Sequence, residues 1–332
     1  MMLKCSVVHY LRNFPWRYYL AGGLLRSEEP VVSLFLSSDA SAALVSRRRQ
    51  HLGFETEIAN LPDAPPVMGH RTALGTANRS FSTKLLSRNR VSGAPQYWFL
   101  PDLGLSDLYC NMHSTAKLRE TDIESLLESL QEEPRQVIGA WEDPRLFRWC
   151  VLSPDLKIPT GKLKGKIPQI MIVGIPGEYC DQIEDWVGAQ QGTLLGILPV
   201  PVAVLAWFIQ LIPLGRRTVF TLMLLAHSVV LAVIQNQEVL LLRQYDEEAN
   251  LVCREILPLA EELNVSDPEV YVWSPKSVPE NLASQLRGTE LAGDALRQIS
   301  GSPVVYRKSD GSTMETDDQI PHLLSWISRK FI

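Results

Sequence analysis

The sequence is poor in the residues and motifs that usually announce chemistry. Its 332 residues include five cysteines with no C-x-x-C spacing, so neither a disulfide framework nor a zinc knuckle is encoded. Most of Cys5, Cys110, Cys150, Cys180 and Cys253 sit beside apolar residues, as in Trp149-Cys150-Val151, and read as reduced core thiols. The six histidines (His9, His51, His70, His113, His227 and His322) are scattered singly. No G-x-x-x-x-G-K-[ST], G-x-S-x-G or H-E-x-x-H occurs, which removes the common phosphate-loop, nucleophile-elbow and metalloprotease readings. Positive charge is also in short supply. With 32 Lys and Arg against 37 Asp and Glu the net charge is -5, and a chain without a basic field is not built for nucleic acid.

The 45% hydrophobic content and the length suffice for two domains or one bilobal one. Residues 1–29 form a leader outside the fold, read as poorly ordered. Its first 27 residues carry Lys4, Arg12, Arg17 and Arg26 without an acid or a cleavable apolar core. Val31 to Pro62 then reads as three consecutive strands, with a turn at Ser37-Ser38-Asp39 and a wider one at Arg47 to Gly53. Ala64 to Pro101 is rich in Gly, Pro, Ser and Asn and carries Arg71, Arg79, Lys84, Arg88 and Arg90 without an acid. It reads as a solvated loop with one short helix near Phe81 to Arg88.

Thr121 to Gln131 is an amphipathic helix with Ile123, Leu126, Leu127 and Leu130 on one face, Thr121 as its cap and Glu124 three residues on. Strands follow at Leu146 to Leu152 and Gln169 to Ile175, then a helix from Glu178 to Gln190. The longest apolar stretch, 193–234, admits two readings. A membrane hairpin would use Thr193–Leu214 and Thr218–Ile234, although Pro199, Pro201, Pro213, Gln210 and His227 interrupt them. The other reading divides the same residues into a strand at 194–198, a core helix from Pro201, and strands at 219–225, 229–234 and 238–245, with turns at 226–228 and 236–237. On it, strand, tight turn, strand, turn, strand occurs at 31–58 and again about 190 residues later, the mark of a duplicated lobe. Asp246 to Leu263 follows as a helix with Leu251, Ile256, Leu259 and Leu263 toward the core. Then come a strand at 269–273, a short helix at 279–286 and a helical tail from Asp317.

In order and pattern, residues 30 to 305 resemble the actin-like proteins of the PilM and GspL kind. Val31 to Val45 matches that family's opening strand and first phosphate loop, and Phe220 to Arg243 its second loop and hairpin. Gln169 to Leu198, with the helix from Pro201, looks like its strand–helix–strand–helix bridge, and Val270 to Leu286 like its adenosine loop with flanking strand and helix. The resemblance implies an α/β, ribonuclease-H-like bilobal fold with duplicated mixed sheets. Its lobes would be 30–175, carrying a small subdomain at about 95–155, and 176–332 with the C-terminal helix.

The resemblance also implies acids and glycines at the loops, and here they are replaced. Phe35 and Ser37 stand at the first loop, Leu224 and Ala226 at the second, and Ser274 and Pro275 where paired glycines would admit adenosine. Phe35 and Leu224 have no atom to offer magnesium, and Pro275 donates no N–H. Asp39 and His227 remain near the turns and read as turn residues. The resemblance thus points to a non-enzymatic scaffold without a cofactor or metal. It would sit in the cytoplasm under the inner membrane of a type IV pilus or type II secretion-like assembly and hold the cytoplasmic segment of a single-pass membrane partner. The alternatives are an active actin-like ATPase or sugar-kinase relative, and an integral membrane protein with a helical hairpin at 193–234. The tail, with Ile320, Leu323, Leu324, Ile327 and Phe331 on one face, either packs back on the second lobe or serves as an anchor for a partner groove or the membrane surface.

Overall fold

In the computed structural model the described residues are 31–36, 41–49, 53–60, 96–104, 106–139, 143, 145–159, 161–163, 165–211, 218–225, 228–246, 249–266, 268–275, 296–298, 304–307, 313–316, 320, 323, 324, 326 and 327. The leader, the 64–95 segment with its short helix, the turn at Ser37 to Asp39 and the helix at 279–286 lie outside them. The chain divides into two compact units, each assembled from separate stretches. The first gathers Met1–Leu103, Gly177–Ala203 and Ser300–Ile332, and the second Gly104–Pro176 and Val204–Ile299.

The first unit is built on one sheet. β1 (Val31–Leu36) pairs antiparallel with β2 (Ser41–Arg49), which pairs antiparallel with β3 (Gly53–Asn60). On its other side β1 runs parallel to β4 (Gln96–Pro101), and β4 runs parallel to β8 (Thr193–Ile197). The hairpin of β14 (Val304–Arg307) and β15 (Thr313–Thr316) extends the β3 edge, giving the order β15-β14-β3-β2-β1-β4-β8. All six residues of β1 and of β4 are buried, as expected of strands covered on both faces. Helix α3 (Gly177–Ala189) packs beside β8 and buries Tyr179, Cys180, Ile183, Trp186 and Val187, a stripe at three- and four-residue spacing.

The second unit holds a five-stranded sheet and a three-stranded one. β9 (Thr218–Leu224), β10 (Val229–Gln235) and β11 (Glu238–Tyr245) form an antiparallel meander. β12 (Glu269–Trp273) lies parallel to β9, and β13 (Leu296–Gln298) parallel to β12. The order β11-β10-β9-β12-β13 therefore repeats β3-β2-β1-β4-β8 strand for strand, with the same directions. Asn236 and Gln237, both at positive φ (54° and 65°), make the tight turn whose twist suits a two-residue hairpin. Helix α5 (Ala249–Glu262) seats Val252, Ile256, Leu259 and Ala260 against Phe220, Leu222, Leu231, Val233 and Val270 of this sheet.

The small sheet, in the order β5-β7-β6, is made of β5 (Tyr109–Ser114), β7 (Gln169–Pro176) and β6 (Phe147–Leu152). Helix α1 (Ile123–Glu132) covers one face through Ile123, Leu126 and Leu130, followed by the short α2 (Pro134–Ile138). The α1 cap is Asp122 rather than Thr121: its carboxylate accepts from the Ser125 N–H at 3.0 Å, since an N-cap side chain must reach the third residue on. This sheet lies beside β11, and the Val239 N–H donates to the Pro154 carbonyl at 2.9 Å.

Several expectations change. The lobe division at 175/176 gives way to interleaved units, because β8 hydrogen-bonds beside β4 and β14 beside β3. Residues 96–101, expected as loop, are the interior strand β4, between β1 and β8. Residues 169–176 form a strand of the small sheet, and the order strand, helix, strand, helix expected from there on is present. The small sheet and its two helices fall within Gly104–Pro176, a stretch that belongs to the second unit. Leu263, expected in the core, is 37% exposed. The helical hairpin at 193–234 is overturned: the run consists of β8, α4 (Val200–Leu211), β9 and β10. No helix among the described residues is long and apolar enough to cross a membrane. In the tail, Ile320, Leu323, Leu324 and Ile327 are helical and buried, while Phe331 lies outside the described residues.

Candidate functional site

In mixed α/β sheets ligands are taken at the carboxyl ends of the parallel strands, so those ends are where the candidate residues matter. In the first unit β1, β4 and β8 finish together. The Asp102 N–H donates to the Leu36 carbonyl at 2.7 Å, and the Leu198 N–H to the Phe99 carbonyl at 2.7 Å. Phe35 is fully buried here, opposite Ala42 on one side and Leu100 on the other. Its ring fills the sheet's face and brings no ligand atom to the strand end. Ser37 and Asp39 lie outside the described residues.

One residue at this edge escaped the sequence reading. Asp102, directly after β4, is 2% exposed and is the one charged side chain among the described buried residues. Burying a carboxylate costs several kcal/mol unless it is compensated, and Asp102 has interaction partners within the protein. The available signal was an acid that closes the apolar run Tyr97 to Leu100.

The matching edge of the second unit is built from β9, β12 and β13. Leu224 ends β9 opposite Val229, and the Leu225 N–H donates to the Ser228 carbonyl at 2.9 Å to close the bend. Ala226 and His227 lie outside the described residues. Ser228 is buried, and its hydroxyl accepts from Gln244 Nε2 at 3.2 Å. β12 ends on the fully buried Trp273, followed by the buried Ser274 and the half-buried Pro275. The described part of this edge therefore carries hydroxyls and apolar groups but no carboxylate.

The remaining reactive side chains serve packing. Cys110 and Cys150 both lie opposite Val173, one on each side of it. Two strand spacings put their Cα atoms about 10 Å apart, beyond disulfide reach. Burial pushes the Cys110 thiol up to about 12 and Cys150 well above its usual value, which keeps both protonated and unreactive. His113 Nε2 and the Tyr109 hydroxyl share a hydrogen bond at 2.7 Å, and burial lowers the His113 pKa. Tyr109 packs on the core beneath α1 and edge-on to Trp149, so this pair belongs to the small sheet's structure. Among the described residues no group of three His, Cys, Asp or Glu is placed to hold a metal ion.

No protein-family model and no curated protein matches the chain. Solved structures do match. The PilM–PilN type IV pilus biogenesis complex aligns at TM-score 0.52 and 17% identity, over 83% of this chain and 89% of that one. A protein of unknown function with an actin-like ATPase fold, from Bacteroides thetaiotaomicron, aligns at TM-score 0.46 and 9% identity, over 80% and 91%. An exopolyphosphatase from Cytophaga hutchinsonii aligns at TM-score 0.30 and 9% identity, over 74% and 66%. At such identities the likeness is one of fold. The chain has an actin-like α/β fold and resembles PilM-type proteins, in keeping with the five-strand order that its two main sheets repeat.

Proposed function

We propose that this chain is a non-catalytic actin-like scaffold that holds the cytoplasmic segment of a single-pass membrane protein. On this reading it works at the cytoplasmic side of the inner membrane in a type IV pilus or type II secretion-like assembly. The observation that carries the proposal is the apolar character of the leading strand end in both sheet copies. Phe35 is fully buried and Leu224 nearly so, where a nucleotide-handling relative needs carboxylates for magnesium and water. Ser37, Ala226, Ser274 and Pro275 complete the degenerate loop positions. With its nucleotide chemistry lost, what such a chain retains is a duplicated rigid framework for binding a partner. The step to pilus or secretion biology is supported by the likeness of fold to the PilM–PilN type IV pilus biogenesis complex.

A working ATPase or kinase is the second reading, and Asp102 is the observation in its favour. Calorimetric titration of the full chain with ATP and magnesium separates the two. The scaffold reading expects no binding. One-to-one binding at micromolar affinity that is lost in Asp102→Asn would establish the nucleotide reading instead. The partner is tested by fluorescence anisotropy with labelled cytoplasmic segments of the single-pass membrane proteins encoded beside this chain. Micromolar binding of one of them is expected, and failure of all of them removes the adaptor role.

A further inference from the structure

The layer between β4 and α3 in the first unit contains polar atoms that its protein neighbours do not satisfy. Tyr97 and Trp186 are 1% and 5% exposed, and their rings meet edge to face with centroids 5.3 Å apart and planes at 78°. Trp186 meets Phe99 in the same way, at 5.6 Å and 87°. Neither Tyr97 Oη nor Trp186 Nε1 has a hydrogen-bond partner among the described residues. An indole N–H can only donate, and burial raises the Tyr97 pKa, so the phenol stays protonated. Buried donors of this kind are rarely left empty-handed, because each one unmade forfeits the hydration it had in the unfolded chain.

We infer that Tyr97 Oη and Trp186 Nε1 share one ordered internal water, which joins β4 to α3 inside the first unit. The guest must accept hydrogen bonds, which admits water and small anions alike. No Lys or Arg is found among the described buried residues, so an anion would enter an apolar layer without a counter-charge. Water carries no such cost, and two polar partners are enough to hold it. The joint has structural sense: β4 and α3 are separated in sequence by the whole of Gly104–Pro176, so no short connection fixes one against the other.

Two measurements on the full chain decide the matter. Tyr97→Phe keeps the ring and the shape and removes only the hydroxyl. It should lower the melting temperature by about 2 °C or more, the shift expected for one lost buried hydrogen bond in a domain of this size. A crystal structure of the unmutated chain at better than about 1.8 Å should show a density peak within the usual 2.7–3.2 Å of both atoms. A melting temperature unchanged or raised in Tyr97→Phe overturns the inference. That result would mean an orphan hydroxyl, with the indole N–H resting on an aromatic face that the substitution preserves. Absence of the peak overturns it equally.

Discussion

At the residue scale the small sheet turns on a glycine. Gly174 lies between Tyr109 and Trp149 in the strand register, and the Trp149 ring lies over it. A Cβ at this position would come within 2.4 Å of Trp149 Cζ3 and 2.6 Å of Cε3. The glycine is therefore there for the indole's approach. Gly174→Ala should destabilise the chain by about 1–3 kcal/mol, the cost of overpacking a filled core, read as a lower urea midpoint with an unchanged slope. Combining it with Trp149→Leu should give less than the sum of the two effects, because the second change removes the clash that the first creates. Additive losses would show that the ring is not what reserves the position. None of this was legible beforehand: Gly174 sits in the apolar run Ile172-Val-Gly-Ile175, and only the packing shows what faces it.

At the element scale, amphipathic helices and buried strands such as β1, β8 and β9 were readable in the sequence, and β4 was not. The α1 pattern placed Ile123, Leu126 and Leu130 inward, and the pair Asn236-Gln237 marked its turn. β4 was missed because its apolar run is short and follows a stretch dense in Gly, Pro, Ser and Asn, whose loop character swamps it. Periodicity gives no warning when both faces of a strand are covered. The tail was legible as an amphipathic helix but not as to which surface its stripe meets. In the structure Ile320, Leu323, Leu324 and Ile327 are buried, which favours docking on the chain itself over a free membrane anchor. Deleting 318–332 should therefore lower the melting temperature by several degrees, since four buried aliphatic side chains are worth about 1.5–3 kcal/mol each. An unchanged melting curve with loss of membrane or partner association would instead make the tail an anchor.

At the scale of the whole molecule, the decisive question was whether 193–234 lies in lipid or in protein. A bilayer would need about 20 residues of continuous helix, and the chain gives a twelve-residue helix, α4, between strands. Those strands hydrogen-bond to neighbours far away in sequence, β8 to β4 and β9 to β12. Membranes prepared from cells that produce the chain should therefore release it on alkaline carbonate extraction. Retention in the carbonate pellet, and partition into the detergent phase, would restore the membrane reading.

Local sequence determined the repeated strand–turn–strand unit, because alternation, turn residues and helix stripes are written within about ten neighbours of one another. It also determined that Phe35 and Leu224 bring no ligand atom to the strand ends, since that follows from residue type alone. Tertiary structure decided which stretches form a unit. Each main sheet takes its last parallel strand, β8 or β13, from beyond a long intervening segment, and such pairings depend on hydrogen bonds between residues that share no local pattern. It also decided where Asp102 lies. A carboxylate after an apolar run is an ordinary strand terminator in sequence, and becomes a buried charge at the edge of three parallel strands only when β1 and β8 close around it.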